Sequence, residues 1–397
     1  MPYEVKGRIF LDIQLDDSPI RLDNLNAVDF LHMSCSTRIA VPMIHLRLKD
    51  TAQNLLNNKS LHSGSKITIL LRPGKDDNEM LKYDFILNSW QENRSSGVMT
   101  YEMDGYYNVP IYWNASSFKS YEGTSYDTIK EIASACQIPK FEGDSTNDHQ
   151  RWVFDNVPWH EASRQISERG RVSETSCMQL GLDLHGTLFY KNVTQMGEIK
   201  KLFVYPAGSG SGAGFPIIAY KPISLAGSKN QQSGYKKSRI EQDLFNPALF
   251  KEHNKVAFLK NESGSLQVDE DIRSKVNQSR VKFCPIDVGN VHENYERALY
   301  QNRRVSSLFN VGMEILVPAP SKVTLFDTVS LVFNMDRSVA GNIKQYEKEY
   351  LVCSKTVCVI GTDVVEKLGL TRRTLNTDIA GAATSEGPSN LSVDRPV

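Results

Sequence analysis

The chain has 397 residues, enough for two to four domains that each bury a core of their own. Its 46 Lys and Arg balance its 46 Asp and Glu, so no net field draws it to nucleic acid or to an anionic membrane, and only local patches of charge remain open. No run of about 18 apolar residues predicts a membrane-spanning helix, and Met1-Pro-Tyr-Glu has neither the basic start nor the apolar stretch of a secretory leader, which points to synthesis in a cytoplasm.

Residues 1–112 read as strands. Ile9, Leu11, Ile13 and Leu15 alternate with polar or outward positions, as do Ile44, Leu46 and Leu48. Ile67, Ile69 and Leu71 follow the turn Ser63-Gly-Ser65, Tyr83, Phe85 and Leu87 follow a polar loop, and Met99, Tyr101 and Met103 follow Ser95-Ser-Gly97. Five or six short strands with hardly a helix predict a small barrel or sandwich.

Trp113-Asn-Ala-Ser-Ser117 then leads into a block of different character. Tyr126, Ile129, Ile132, Ala133 and Cys136 recur at helical spacing behind a Thr124/Ser125 cap. A second helix is predicted from Pro158, through Glu161 at its positive dipole end and Ile166, to a stop at Gly170. Alternation on either side of His185-Gly186, from Leu182 to Tyr190, predicts a hairpin.

Beyond Tyr190, the strand-like Leu202-Phe-Val-Tyr205 precedes a run of glycines from Gly208 to Gly214. No Lys-Ser/Thr pair and no helical pattern follow it, so it reads as a loop and not as a phosphate cradle. Residues 226–304 are polar and irregular, with an apolar piece at Val256-Ala-Phe-Leu259 and a helical one from Val291 through Tyr295 to Leu299; they read as an insertion. The strand pattern resumes in Gly312-Met-Glu-Ile-Leu-Val317, Thr328 to Phe333, Glu349 to Cys353 and Thr356 to Ile360, ending near Asn376. A small, polar segment closes the chain.

Candidate chemistry is thin. Asp148 with His149, His160 with Glu161 and Asp183 with His185 are the available acid–base pairs, but none has the spacing of a nucleophile or metal site, and adjacent residues point to different sides of an element. Trp152 and Trp159 have the shape to stack on a sugar or base, yet read better as core or interface aromatics. Asn114-Ala-Ser116, Asn192-Val-Thr194 and Asn261-Glu-Ser263 match the glycosylation pattern, which has no meaning without secretion. The six cysteines are scattered and read as reduced core thiols; the odd separation of Cys353 and Cys358 sends them to opposite faces of a strand. No catalytic, cofactor-binding or metal-ligating residue is assigned.

The two β-rich halves resemble each other. Ser63-Gly-Ser-Lys-Ile-Thr-Ile-Leu70 and, after a polar loop, Tyr83-Asp-Phe-Ile-Leu87 have counterparts in Phe326-Asp-Thr-Val-Ser-Leu331 and Tyr350-Leu-Val-Cys353. This order predicts a duplicated β domain with the helical block between the copies.

In layout nearly the whole chain, and most firmly the stretch from Val291 to Asn376, resembles the baseplate hub proteins of phage tail tips, relatives of the base of type VI secretion spikes. The resemblance rests on Tyr295-Glu-Arg-Ala-Leu299, the strand to Val317, the hairpin into Val329-Ser-Leu-Val-Phe333, Tyr350-Leu-Val-Cys353 and the closing Leu368-Gly-Leu-Thr-Arg-Arg373. The block with Thr146-Asn-Asp148 and Trp152 is similar to the hub's inserted domain. Where relatives often place Gly-Asp in the hairpin turn, this chain has Asp327-Thr328.

The resemblance implies an α+β, mainly β chain: tube-like barrels at 1–112 and at 197–225 plus 305–376, an inserted α+β domain at 113–196, an insertion at 226–304 and a flexible tail at 377–397. It implies a homotrimer, a pseudo-sixfold ring in the virion baseplate that joins a sixfold tail tube to a threefold central spike or fibre beside other baseplate proteins. A channel passes the genome without binding it specifically, and the protein itself does not enter a membrane. Two copies per chain in a threefold assembly reconcile the two symmetries. No enzymatic activity and no cofactor are implied. The alternatives are a spike-base component of a type VI-like or extracellular injection system and, more remotely, an enzyme degrading wall polysaccharide.

Overall fold

The computed structural model describes residues 10–20, 28–37, 40–50, 61–72, 80–95, 98–173, 176–205, 214–224, 235–242, 250–257, 282–284, 309, 311–334, 341–360 and 363–372. The helical piece from Val291 to Leu299, most of the glycine run and the C-terminal tail lie outside them.

The first region consists of β1 (Phe10–Leu15), β2 (Ser18–Ile20), β3 (Val28–Ser36), β4 (Met43–Asp50), β5 (Lys66–Arg72), β6 (Leu81–Ser95) and β7 (Val98–Tyr107), all in antiparallel pairings. The alternation in the sequence sorts the two faces. Leu46, Ile67, Ile69, Phe85 and Met103 are fully buried, whereas His45, Arg47, Glu102 and Asp104 on the other face are partly exposed. Each buried side chain of this size stabilises the fold by about 1.5–3 kcal/mol.

The block that follows contains α1 (Pro110–Asn114), β8 (Ser116–Ser117), β9 (Ser120–Thr124), α2 (Ser125–Ala135), β10 (Lys140–Gly143), β11 (His149–Val153), β12 (Val157–Pro158), α3 (Trp159–Arg169), β13 (Met178–Leu182) and β14 (Thr187–Asn192). The two predicted helices and the hairpin around Gly186 are present; α1, too short to show a period, is an addition. Thr124 caps α2, its Oγ1 accepting from Asp127 N at 3.1 Å. Gly170 follows α3 at a place where no side chain would fit. Its backbone is extended, and a Cβ there would stand 1.7 Å from the Tyr190 hydroxyl. The buried side chains of this block, among them Ile129, Trp152 and Ile166, belong to the same continuous core as Leu46 and Phe85.

The second region contains β15 (Ile199–Tyr205), β16 (Phe215–Pro216), β17 (Ala219–Ser224), β21 (Val311–Pro318), β22 (Thr328–Phe333), β23 (Lys348–Ile360) and β24 (Asp363–Arg372), over a second core that includes Phe203, Met313 and Tyr350. Between β17 and β21, β18 (Tyr235–Gln242), β19 (Phe250–Ala257) and β20 (Lys282–Cys284) form a small sheet of their own where the sequence read as irregular.

The expectation of closed barrels needs correction. The strands of both regions join one open 14-stranded sheet. The cause is the length of β23. Along one edge its residues Lys348–Leu351 pair with β22 and its residues Ser354–Val359 pair with β3, while β24 covers the opposite edge. One strand thus belongs to both regions.

The two regions share a strand order in detail. The sequence of neighbours β5-β6-β7-β4-β3 is repeated as β22-β23-β24-β21-β17, antiparallel at every step and in the same chain order. Both long strands carry a bulge at the matching place, between Leu87 and Ser89 and between Val352 and Ser354. The preceding turns are held alike: Gly64 N donates to Leu87 O (2.7 Å) and Leu87 N to Ser65 O (2.8 Å), as Phe326 N donates to Val352 O (2.9 Å) and Val352 N to Asp327 O (3.0 Å). Gly64 and Phe326 both have positive φ, 98° and 67°. A phenylalanine therefore holds the left-handed position that glycine fills more cheaply, and Asp327 supports it by accepting from Thr324 N at 2.9 Å. The sixth position differs: β1 runs antiparallel to β5, whereas β15 runs parallel to β22.

Candidate assembly surfaces

The outer face of the sheet across β3, β4 and β7 carries paired charges. Asp29 accepts from Lys49 at 2.5 Å and lies 3.6 Å from Arg47, which also binds Glu102, while His45 Nδ1 meets Asp104 Oδ1 at 2.5 Å. Lys367 on β24 and Glu314 on β21 continue the pattern at 2.7 Å. The bond from Lys49, with smaller help from Arg47, holds the Asp29 carboxyl below its usual range. Partial burial, with His45 and Lys367 nearby, disfavours the charged form of His32. Exposed pairs of this kind are worth roughly 0–1 kcal/mol each, so the face gains little stability from them. It gains a wetted surface without a dominant sign.

Among the open strand edges of the described residues are two that the repeat relates to each other. From Ser89 to Arg94, β6 is paired only with β7, and its side chains there are exposed, including Trp90 at 39 %. In the second region β17 is paired only with β21.

Where the two regions meet, the chain buries an ion pair. Lys355 Nζ lies 3.1 Å from Glu366 Oε1 and donates to Val323 O at 3.0 Å. Glu366 Oε2 accepts from Ser321 N at 3.1 Å and from the Ser321 hydroxyl. The pair was absent from the sequence reading, but a trace existed: Glu366 falls in phase with Val364, Leu368 and Leu370, and Lys355 with Val357 and Val359, charges on stripes that are otherwise apolar.

The six candidates for acid–base chemistry are not brought together. Burial pushes the Asp148 carboxyl upward, a shift that would suit a general acid, yet its oxygens are taken by Ser125 N (3.1 Å), Ser125 Oγ and Arg171 N (3.1 Å), and the residue is 1 % exposed. It fastens α2 to the loop after α3. His149 beside it is exposed on β11. Asp183, also raised mainly by burial, accepts from His185 N (2.9 Å) and Thr187 N (2.8 Å) and so shapes the hairpin turn. His160 stacks on Trp113 at 4.4 Å, and Glu161 binds Arg164 at 2.6 Å. Trp152 is fully buried and Trp159 packs near Tyr121 at 6.3 Å. Among the described residues no group of three or more His, Cys, Asp and Glu side chains is placed to hold a metal, and no helix is long and apolar enough to cross a membrane. The five cysteines described, Cys35, Cys136, Cys177, Cys353 and Cys358, form no disulfide with one another.

An open sheet shared by two β regions around a helical block is a fold that this chain has in common with two solved tail proteins. The chain superposes on the 43 kDa tail protein of prophage MuSo2 from Shewanella oneidensis with a TM-score of 0.59 at 10 % identity, over 92 % of this chain and 98 % of that one. It superposes on a tail protein from Neisseria meningitidis MC58 with a TM-score of 0.56, also at 10 % identity, over 92 % and 97 % of the two chains. No family model and no curated protein matches the sequence. The resemblance drawn from the residues is therefore met at the level of fold.

Proposed function

We propose that this chain is a structural hub of a phage tail baseplate, acting as a trimer whose six β regions form a pseudo-sixfold ring between tail tube and central spike. The observation that carries the reading is the repeated five-strand order with its matched bulges and turns. Two similar units in one chain let three chains offer six nearly equivalent contacts on one side while keeping threefold symmetry on the other. The polar outer face, its charges paired, suits the wall of a channel that must be wetted and hold its cargo weakly. In this reading the block 113–196, which interrupts the repeat, projects from the periphery of the ring. The Asp148 carboxylate, with both oxygens taken by Ser125 and Arg171, argues for architecture over catalysis.

The test is the purified chain at micromolar concentration. Mass photometry is expected to give a trimer and negative-stain images a ring with a central opening. A monomer with no partner present, or images in which the 124–170 helices line the opening, would overturn the reading. Wall glycans, peptidoglycan and phosphodiesters are expected to stay intact; turnover that disappears in Asp148→Asn or His160→Ala would place the protein among enzymes instead.

A further inference from the structure

The repeat has one contact made and its counterpart left open. In the made contact, Ser354–Val359 of β23 pair antiparallel with β3, from Ser354 against Ser36 to Val359 against Leu31. Lys355, Val357, Cys358 and Val359 are buried there. The bulges align Cys353 with Asn88, so the corresponding stretch of the first region is Ser89–Arg94 of β6. All six of those residues are exposed, and no strand covers that edge among the described residues. The counterpart of β3 is β17: β3 borders β4 as β17 borders β21, and His32 and Lys221 hold the same position through His45 and Glu314. Its outer edge is open as well. A strand edge with its own template elsewhere in the same chain identifies its partner.

We infer that the open edge of β6 in one chain receives β17 of a second copy, as an antiparallel ladder that repeats the β3–β23 junction between molecules. This rests on the ring reading above and names the strands that close it. Carrying the internal register across sets Trp90 against Ser224, Gln91 against Ile223, Asn93 against Lys221 and Arg94 against Tyr220. The contact is head to tail, since β6 and β17 are different surfaces, so copies add until the rotation closes. Pro222 removes one donor from the β17 edge, and Glu92, Arg94 and Lys221 put charge along both edges. These devices keep a free edge from pairing with unrelated strands without preventing a ladder in the one matching register.

The experiment uses the full chain carrying Asn93→Cys and Lys221→Cys together, oxidised mildly and run without reductant, with the wild type and each single variant as controls. Covalent dimers and trimers are expected from the double variant, and dimers from an equal mixture of the two single variants, but none from either single variant alone. A second variant, Glu92→Pro, is expected to leave a monomer with an unchanged melting temperature, because the N–H it removes points to the open edge of β6, as that of its counterpart Val357 points to β3, and not to β7. Rings that form by electron microscopy without this cross-link, or a cross-link in Asn93→Cys alone, overturn the strand assignment and leave the hub reading standing. Absence of any oligomer, in wild type and variants alike, overturns both.

Discussion

Asp148 does more for this fold than its place in a polar stretch suggests. With three donors directed at it from Ser125 and Arg171, truncation leaves buried N–H groups without partners, at about 1–3 kcal/mol each. Asp148→Ala is expected to lower stability by about 3 kcal/mol or more in denaturant unfolding, whereas His149→Ala, one residue away and exposed, should change it by less than about 0.5 kcal/mol. Asp29 governs a smaller, pH-dependent effect. Its folded carboxyl is held below the ordinary 3.8, chiefly by Lys49, so its contribution is present above that value and is lost as pH falls through the lower folded value. Asp29→Asn should therefore be slightly less stable than wild type at neutral pH, and the two melting curves should converge below about pH 4. Convergence toward high pH would refute the assignment.

At the scale of elements, the Lys355–Glu366 pair locks β23 to β24 where β23 passes from one region to the other. Breaking one half strands a buried charge: Lys355→Met alone is expected to cost about 3–5 kcal/mol, while Lys355→Met with Glu366→Leu recovers most of that loss, as buried pairs replaced by apolar residues usually do. Urea unfolding of the cycle reads this directly. The elements themselves were largely legible. Alternation marks β4 and β7 because each has one wet face, and three- and four-residue spacing marks α2 because it lies against a core. What alternation leaves out is partner choice. Thr356-Val-Cys-Val-Ile360 reads as a strand whether it closes its own barrel or pairs with β3, and nothing local distinguishes the two. The bulge at Cys353, which separates the two pairings, adds one residue and no sequence mark.

For the whole molecule, the repeat was visible as order and spacing, while its extent was not. The hydrogen bonds at Gly64 and Phe326 match although the two residues share no property except a position that needs positive φ. Backbone geometry is kept where side chains have diverged, which is why no sequence comparison finds the likeness that superposition does. The acid–base candidates illustrate the opposite error: residues adjacent in sequence were weighed as pairs, whereas Asp148 works with Ser125 and Arg171, each 23 positions away. If the channel-wall reading holds, reversing charge on the outer face should alter passage and not assembly. Arg47→Glu with Lys49→Glu is expected to leave the trimer intact by mass photometry while slowing release of nucleic acid from reconstituted particles.

A chain of two lobes joined by a tether would flex at the tether, but here the lobes share a ladder of six paired positions from Ser354 to Val359. Bending there means giving up backbone bonds across the width of the sheet, so the joint behaves as a splint and not as a hinge. Amide exchange along β3 and the second half of β23 should then be as slow as in the cores on either side. Any reshaping of an assembly built from such chains would have to take place by sliding or rotating whole molecules against one another, with each chain carrying load from one face to the other unbent.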